Sequence, residues 1–163
     1  MATIRESLAE LLTGDQAHLN PALALSDLAL EMQGQRPAGL PYSPWELLEH
    51  LRITQHDILE FITNPNYQEP DFPAGYWPAT ASPPDAKAWQ NSRQNFLADL
   101  DSLIQIAQDP SRDLEGPVPW GSGQALMREL LLAADHNSYH LGEMVVLRRL
   151  LGAFQPATPE RPL

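Results

Sequence analysis

Residues 129–143 read Glu-Leu-Leu-Leu-Ala-Ala-Asp-His-Asn-Ser-Tyr-His-Leu-Gly-Glu, and this stretch constrains the fold more than any other. Its pattern predicts helix, and side chains at i and i+4 then lie on one face, so His136 and His140 stack a turn apart. The same face continues through Glu129, Ala133, Glu143 and Leu147. Two imidazoles and two carboxylates therefore interrupt an apolar stripe. Polar groups in a helix-packing face are costly unless they are paired or ligated. A pair of imidazoles at this spacing can hold one divalent cation.

The remainder reads as helices separated by proline-rich breaks. Ile4, Leu8, Leu11 and Leu12 predict a short helix over 3–12 that Gly14 ends. Leu19, Leu23, Ser26 and Leu30 share a face, predicting a second helix over about 16–33, with Asp15 as its cap. Ser43-Pro44-Trp45-Glu46 joins a capping residue, proline at the first helical position and glutamate three residues after the cap. That helix is expected to run through His50 to about Thr63, with Asn64-Pro65 as its stop. Ser82-Pro83-Pro84-Asp85 opens another, carrying Trp89, Phe96, Leu100 and Leu103 as core and ending at Asp109-Pro110. Ser122 is the expected cap of the last helix, about 123–151. With almost no β pattern, the chain is expected to be all-α: a single four-helix bundle domain spanning 1–163, with a short extra N-terminal helix. Segments 65–82 and 110–122 are too long for tight helical hairpins and are expected to form crossover loops or a covered mouth.

Composition narrows the function. The net charge of −11 over 163 residues is repelled by phosphate backbones and anionic lipid, so no nucleic-acid or membrane partner is expected. No apolar run approaches the length of a membrane span. The N-terminal residues lack the pattern of a signal peptide, making the cytoplasm the default location. The chain has no cysteine, which excludes disulfides, thiolate metal sites and a cysteine nucleophile.

Any bound metal must then be held by His, Asp, Glu or water. Imidazole suits zinc, nickel, copper and ferrous iron. Three protein ligands with one open position are the usual pattern of a catalytic zinc. His50 is the best third ligand, because apolar residues flank it on its helix. His56 is rotated to a different face, and His18 sits early in its helix.

The chain resembles the DinB-like (DinB/YfiT) superfamily of metal-binding four-helix bundles. The residues that carry this resemblance are Ser43-Pro44-Trp45-Glu46-Leu47-Leu48-Glu49-His50-Leu51-Arg52 and Asp135-His136-Asn137-Ser138-Tyr139-His140-Leu141-Gly142-Glu143, with Tyr76-Trp77-Pro78, Pro119-Trp120-Gly121 and Leu147-Arg148-Arg149-Leu150-Leu151-Gly152. The similarity runs in matching order over nearly the whole chain. It implies His50, His136 and His140 as ligands of a divalent metal ion, zinc or nickel first, with iron or manganese also accepted. Members often carry glutamine where this chain has Glu143; a carboxylate there is a fourth ligand, a partner of bound water, or a group pointing away. Relatives include thiol-dependent transferases using low-molecular-weight thiols, and many are dimeric.

Two functions compete. One is a metal-dependent enzyme, a thiol S-transferase acting on a small-molecule substrate. Glu143 and Asp57 would then orient ligands or accept a proton, and Trp77, Trp120 and Tyr139 would wall the pocket. The other is a non-enzymatic metal or small-molecule binding protein of the stress response. A homodimer is expected in either case. Fold alone does not choose between them.

Overall fold

The computed structural model describes residues 2–154; Met1 and residues 155–163 of the expected 1–163 domain lie outside the described residues. Among the described residues the secondary structure is helical, with no strand beyond one isolated bridge between Pro117 and Ala125. The helices are α1 (Ile4–Thr13), α2 (Pro21–Ala24), α3 (Leu30–Gln33), α4 (Pro44–Thr63), α5 (Ala88–Gln108) and α6 (Leu126–Leu150), with a 3-10 turn at Ala74–Tyr76. Helix α4 packs on α5 and α6, and α1 packs on both α5 and α6. One core joins them, including Leu8, Leu12, Leu47, Leu51, Trp89, Phe96, Leu103, Leu130 and Met144. Among the described residues, no helix is long and apolar enough to cross a membrane.

The start of α4 follows local chemistry. The Ser43 side chain accepts from the Glu46 amide, the Glu46 carboxylate accepts from the Ser43 amide, and Pro44 occupies the first turn. Glu46 is also paired with Arg36. The start of α6 is different. Ala125 is its cap residue and makes no side-chain capping bond. The first amides instead donate to the preceding loop, Leu126 to the Gly116 carbonyl (3.0 Å) and Met127 to that of Leu114 (2.8 Å). These donors, which a helix always leaves over, are used to fasten segment 110–122. The helix therefore begins at Leu126, later than the Ser122 cap suggests. Likewise α5 begins at Ala88, after an Asp85 carboxylate that accepts from the Lys87 amide (2.7 Å).

Residues 16–33 correct the expectation of one continuous helix. They form two short helices joined by irregular chain. Asn20 caps the Leu23 amide and Pro21 opens α2, which restarts the helix at that point. Beyond it, Arg148, buried at 5% exposure, donates to the carbonyls of Ser26 (2.7 Å) and Asp27 (3.1 Å). Gln33 Nε2 donates to the Leu28 carbonyl (2.7 Å). Carbonyls served from elsewhere do not need a helix to satisfy them. The short N-terminal helix, expected as an extra, packs as α1 against α5 and α6.

Candidate metal centre

The buried face of α6 runs through Leu130, Ala133, Asn137, Leu141 and Met144. His136 and His140 sit at its edge and are half-buried. A buried polar chain fixes this face on its neighbours: Asn137 Nδ2 donates to Gln55 Oε1 (2.7 Å), and Gln55 Nε2 donates to the Phe96 carbonyl (2.6 Å). Neither Gln55 nor Asn137 stood out in the sequence, because an isolated amide in an amphipathic helix carries no local signal. The link sets the register of α6 against α4 and α5, which brings His50 opposite the histidine pair.

His50, His136 and His140 each offer a ring nitrogen within 4.8 Å of the others, the one such group of metal-ligating side chains among the described residues. His50 Nε2 and His136 Nε2 are 3.2 Å apart. Two nitrogens on one tetrahedral zinc, each about 2.0–2.1 Å from it, stand about 3.3 Å apart, so the spacing fits a shared ion. The outer nitrogens agree. His50 Nδ1 donates to the Tyr76 carbonyl (2.8 Å), which leaves its Nε2 as a lone pair. His140 Nδ1 donates to Glu143 Oε2 (2.6 Å), with the same result. Such outer partners fix the tautomer and ring direction of ligating histidines. His136 Nδ1 is buried without a partner. Burial, and then the neighbouring His140 and His50, push the His136 pKa down to about 3. Burial also lowers that of His50, partly offset by its bond to Tyr76. Both rings are thus neutral at pH 7 and able to bind an ion.

Glu143 lies behind His140, not among the three converging nitrogens. The two oxygens of Asp57 accept from the hydroxyls of Tyr67 (2.7 Å) and Tyr76 (2.9 Å). Burial and this carboxylate raise the pKa of both phenols, keeping them as donors. Asp57 thereby holds the 65–82 loop against α4. That loop supplies the Tyr76 carbonyl and also Trp77, whose indole stacks on the His50 ring at 4.0 Å between centroids and 4° between planes.

The histidines line one cavity of about 580 Å³ together with Ile58, Phe61, Trp77, Leu132 and other residues. Of the three aromatic residues expected to wall a pocket, Trp77 lines this cavity, while Trp120 and Tyr139 do not. Trp120 Nε1 donates to the Phe61 carbonyl (2.7 Å), fastening the 110–122 loop to α4. Tyr139 is 66% exposed and meets the His140 ring edge-on at 4.9 Å. Tyr139 is next to His140 in the chain, about 100° round the helix from it, and its exposure puts it on the solvent side. The other two histidines are engaged elsewhere, His56 with Asp99 (2.9 Å) and His18 with Ser138 (3.2 Å).

Comparison with protein-family models, with curated proteins and with solved structures yields no match. The functional reading therefore rests on the site's own residues.

Proposed function

We propose that the chain is a metal-dependent enzyme of the DinB-like kind, a four-helix bundle of α1, α4, α5 and α6 that acts as a thiol S-transferase on a small-molecule substrate. The observation that carries this reading is three imidazoles converging on the wall of a cavity large enough for a ligand. His50, His136 and His140 would hold the ion through Nε2, with zinc or nickel best suited to the donor set and iron or manganese next. When bound, a divalent ion supplies Lewis acidity that lowers the pKa of a coordinated thiol or water.

The chain's own residues do the rest. The Tyr76 carbonyl and Glu143 keep the Nδ1 protons of His50 and His140, so that both Nε2 lone pairs stay directed inward. Ile58, Phe61 and Leu132 give the cavity that the histidines line apolar walls. Because Glu143 is engaged behind His140, it does not fill a fourth position, which supports an open site over a closed, structural one. The alternative, a non-enzymatic metal or small-molecule binding protein, draws on the absence of cysteine anywhere in the chain and of serine among the cavity residues. A homodimer in the cytoplasm completes the reading.

The test begins with untagged protein, whose metal content is measured and which is then offered thiols and electrophiles as a panel. Conjugation that requires the metal supports the transferase. Stoichiometric metal with no turnover across the panel leaves the binding protein, and a metal-free protein that rejects added zinc and nickel ends the transferase and the metal-binding form of the alternative. Light scattering reads the oligomeric state.

A further inference from the structure

The cavity has two chemically different ends. On α4, Asp57 lies seven residues after His50; on α6, Glu129 lies seven residues before His136. Seven residues advance a helix by about 10 Å. His50 meets His136 while Trp120, just ahead of α6, is bonded to Phe61 near the end of α4, so the two helices run in opposite directions. Asp57 and Glu129 therefore fall at the same end, about two turns from the histidines. Both line the cavity, as does Glu69 from the loop. Between the ends the helices contribute Thr54 and Leu132, while Trp77 lies against His50 and Ile58 and Phe61 flank the carboxylate end, so the lining is largely apolar along its length.

Among the described residues the one arginine or lysine of the lining is Arg128, ion-paired with Glu129 at 2.7 Å. Burial decides whose field the interior feels. The Arg128 side chain is 59% exposed and that of Glu129 only 4%. Water and salt screen the guanidinium, whereas the buried carboxylate acts through a medium of low dielectric. Asp57 accepts hydrogen bonds from two phenols, which keep their own protons as donors. An anionic tail at this end would meet three carboxylates and one largely screened cation.

We infer that the cavity takes a ligand with an electron-pair head at the histidines, an apolar body about the length of a benzyl group, and a protonated amine at Asp57 and Glu129. This rests on the proposed function for the identity of the head, but not for the amine end. It disfavours thiols whose far end is a carboxylate.

Two series of ligands on the full-length chain separate the two parts. In the first, metal-stripped protein is titrated with benzylamine, benzyl alcohol and benzoate at fixed ionic strength, followed by amide and indole NMR shifts. Benzylamine is expected to bind at least tenfold tighter than benzoate, with shifts at Asp57 and Glu129. E129Q is expected to erase most of that preference while leaving the fold and benzyl alcohol binding unchanged, and added salt to weaken it. Equal binding, tighter binding of benzoate, no binding by any of the three, or benzoate binding that R128Q abolishes would each overturn the inference.

In the second series, cobalt-loaded protein meets benzyl mercaptan carrying a para aminomethyl group, hydrogen or carboxylate. A sulfur-to-cobalt absorption band with affinity in the order amine, hydrogen, carboxylate supports both readings. A band of equal strength and affinity for all three removes the charge selection but keeps thiol binding. Absence of any band alongside the amine preference of the first series removes the thiol and keeps the amine end.

Discussion

On the α4 side of the cavity, His50 is held by the carbonyl and stacking ring of a loop roughly a helix length away in the sequence, and Asp57 grips the same loop through two phenols. On the α6 side, His140 leans on Glu143 of its own helix, and His136 Nδ1 has no partner at all. One wall is therefore organised by long-range docking, the other by the packing of its helix. The α4 wall can be disturbed from a distance. The α6 wall gives way only when a ligand or its immediate neighbour is removed.

The sharpest way to break the comparison is at its centre. H136A should abolish stoichiometric metal, read by elemental analysis of untagged protein; unchanged metal content would end the three-histidine site. The next effect is of acid on the metal-free chain. Folding lowers the His136 pKa from an ordinary 6.5 to about 3, so between those values the unfolded chain binds a proton that the folded one refuses. Stability contributed by this ring is complete above pH 6.5 and declines as pH falls toward 3. The midpoint of thermal unfolding should drop across that window, and H136F should flatten the slope. Metal binding should weaken over the same range, because the ion competes with protons for the rings.

Smaller effects separate the two walls. E143A removes the direct partner of a ligand and should weaken metal binding about 10- to 100-fold, the usual cost of losing such a group. D57A acts one step further out and should cost about threefold, below that range, while exposing the 65–82 loop to proteases. A reversed order would mean that the loop, not Glu143, dominates ligand orientation. Smallest of all, H56A should leave metal affinity unchanged, since its ring is engaged with Asp99 on the far side of α4.

Much of this was legible wherever the determinants were local. The Ser43–Glu46 capping box marked the start of α4, and the i,i+4 spacing put His136 and His140 on one face. What escaped was settled by groups distant in sequence. Periodicity across 16–33 promised one helix, yet Arg148 and Gln33 take up carbonyls there and the chain stays open between α2 and α3. The start of α6 shifted because its spare amides bind Gly116 and Leu114. At the site, composition pointed to Trp77, Trp120 and Tyr139 alike, but only tertiary placement decides which aromatic ring meets a histidine from within. The Tyr67–Asp57–Tyr76 clasp was equally hidden, since its members are far apart in sequence and the Tyr76 carbonyl belongs to the backbone.

The stacking of Trp77 on His50 has a practical corollary. Trp45 and Trp89 are buried in the core and Trp120 is turned toward Phe61, which leaves one indole in van der Waals contact with the three-histidine cluster. Emission from that ring should be quenched when a paramagnetic ion such as nickel or cobalt arrives. The protein thus carries its own optical gauge of occupancy, and W77F would silence the gauge while leaving the three imidazoles in place.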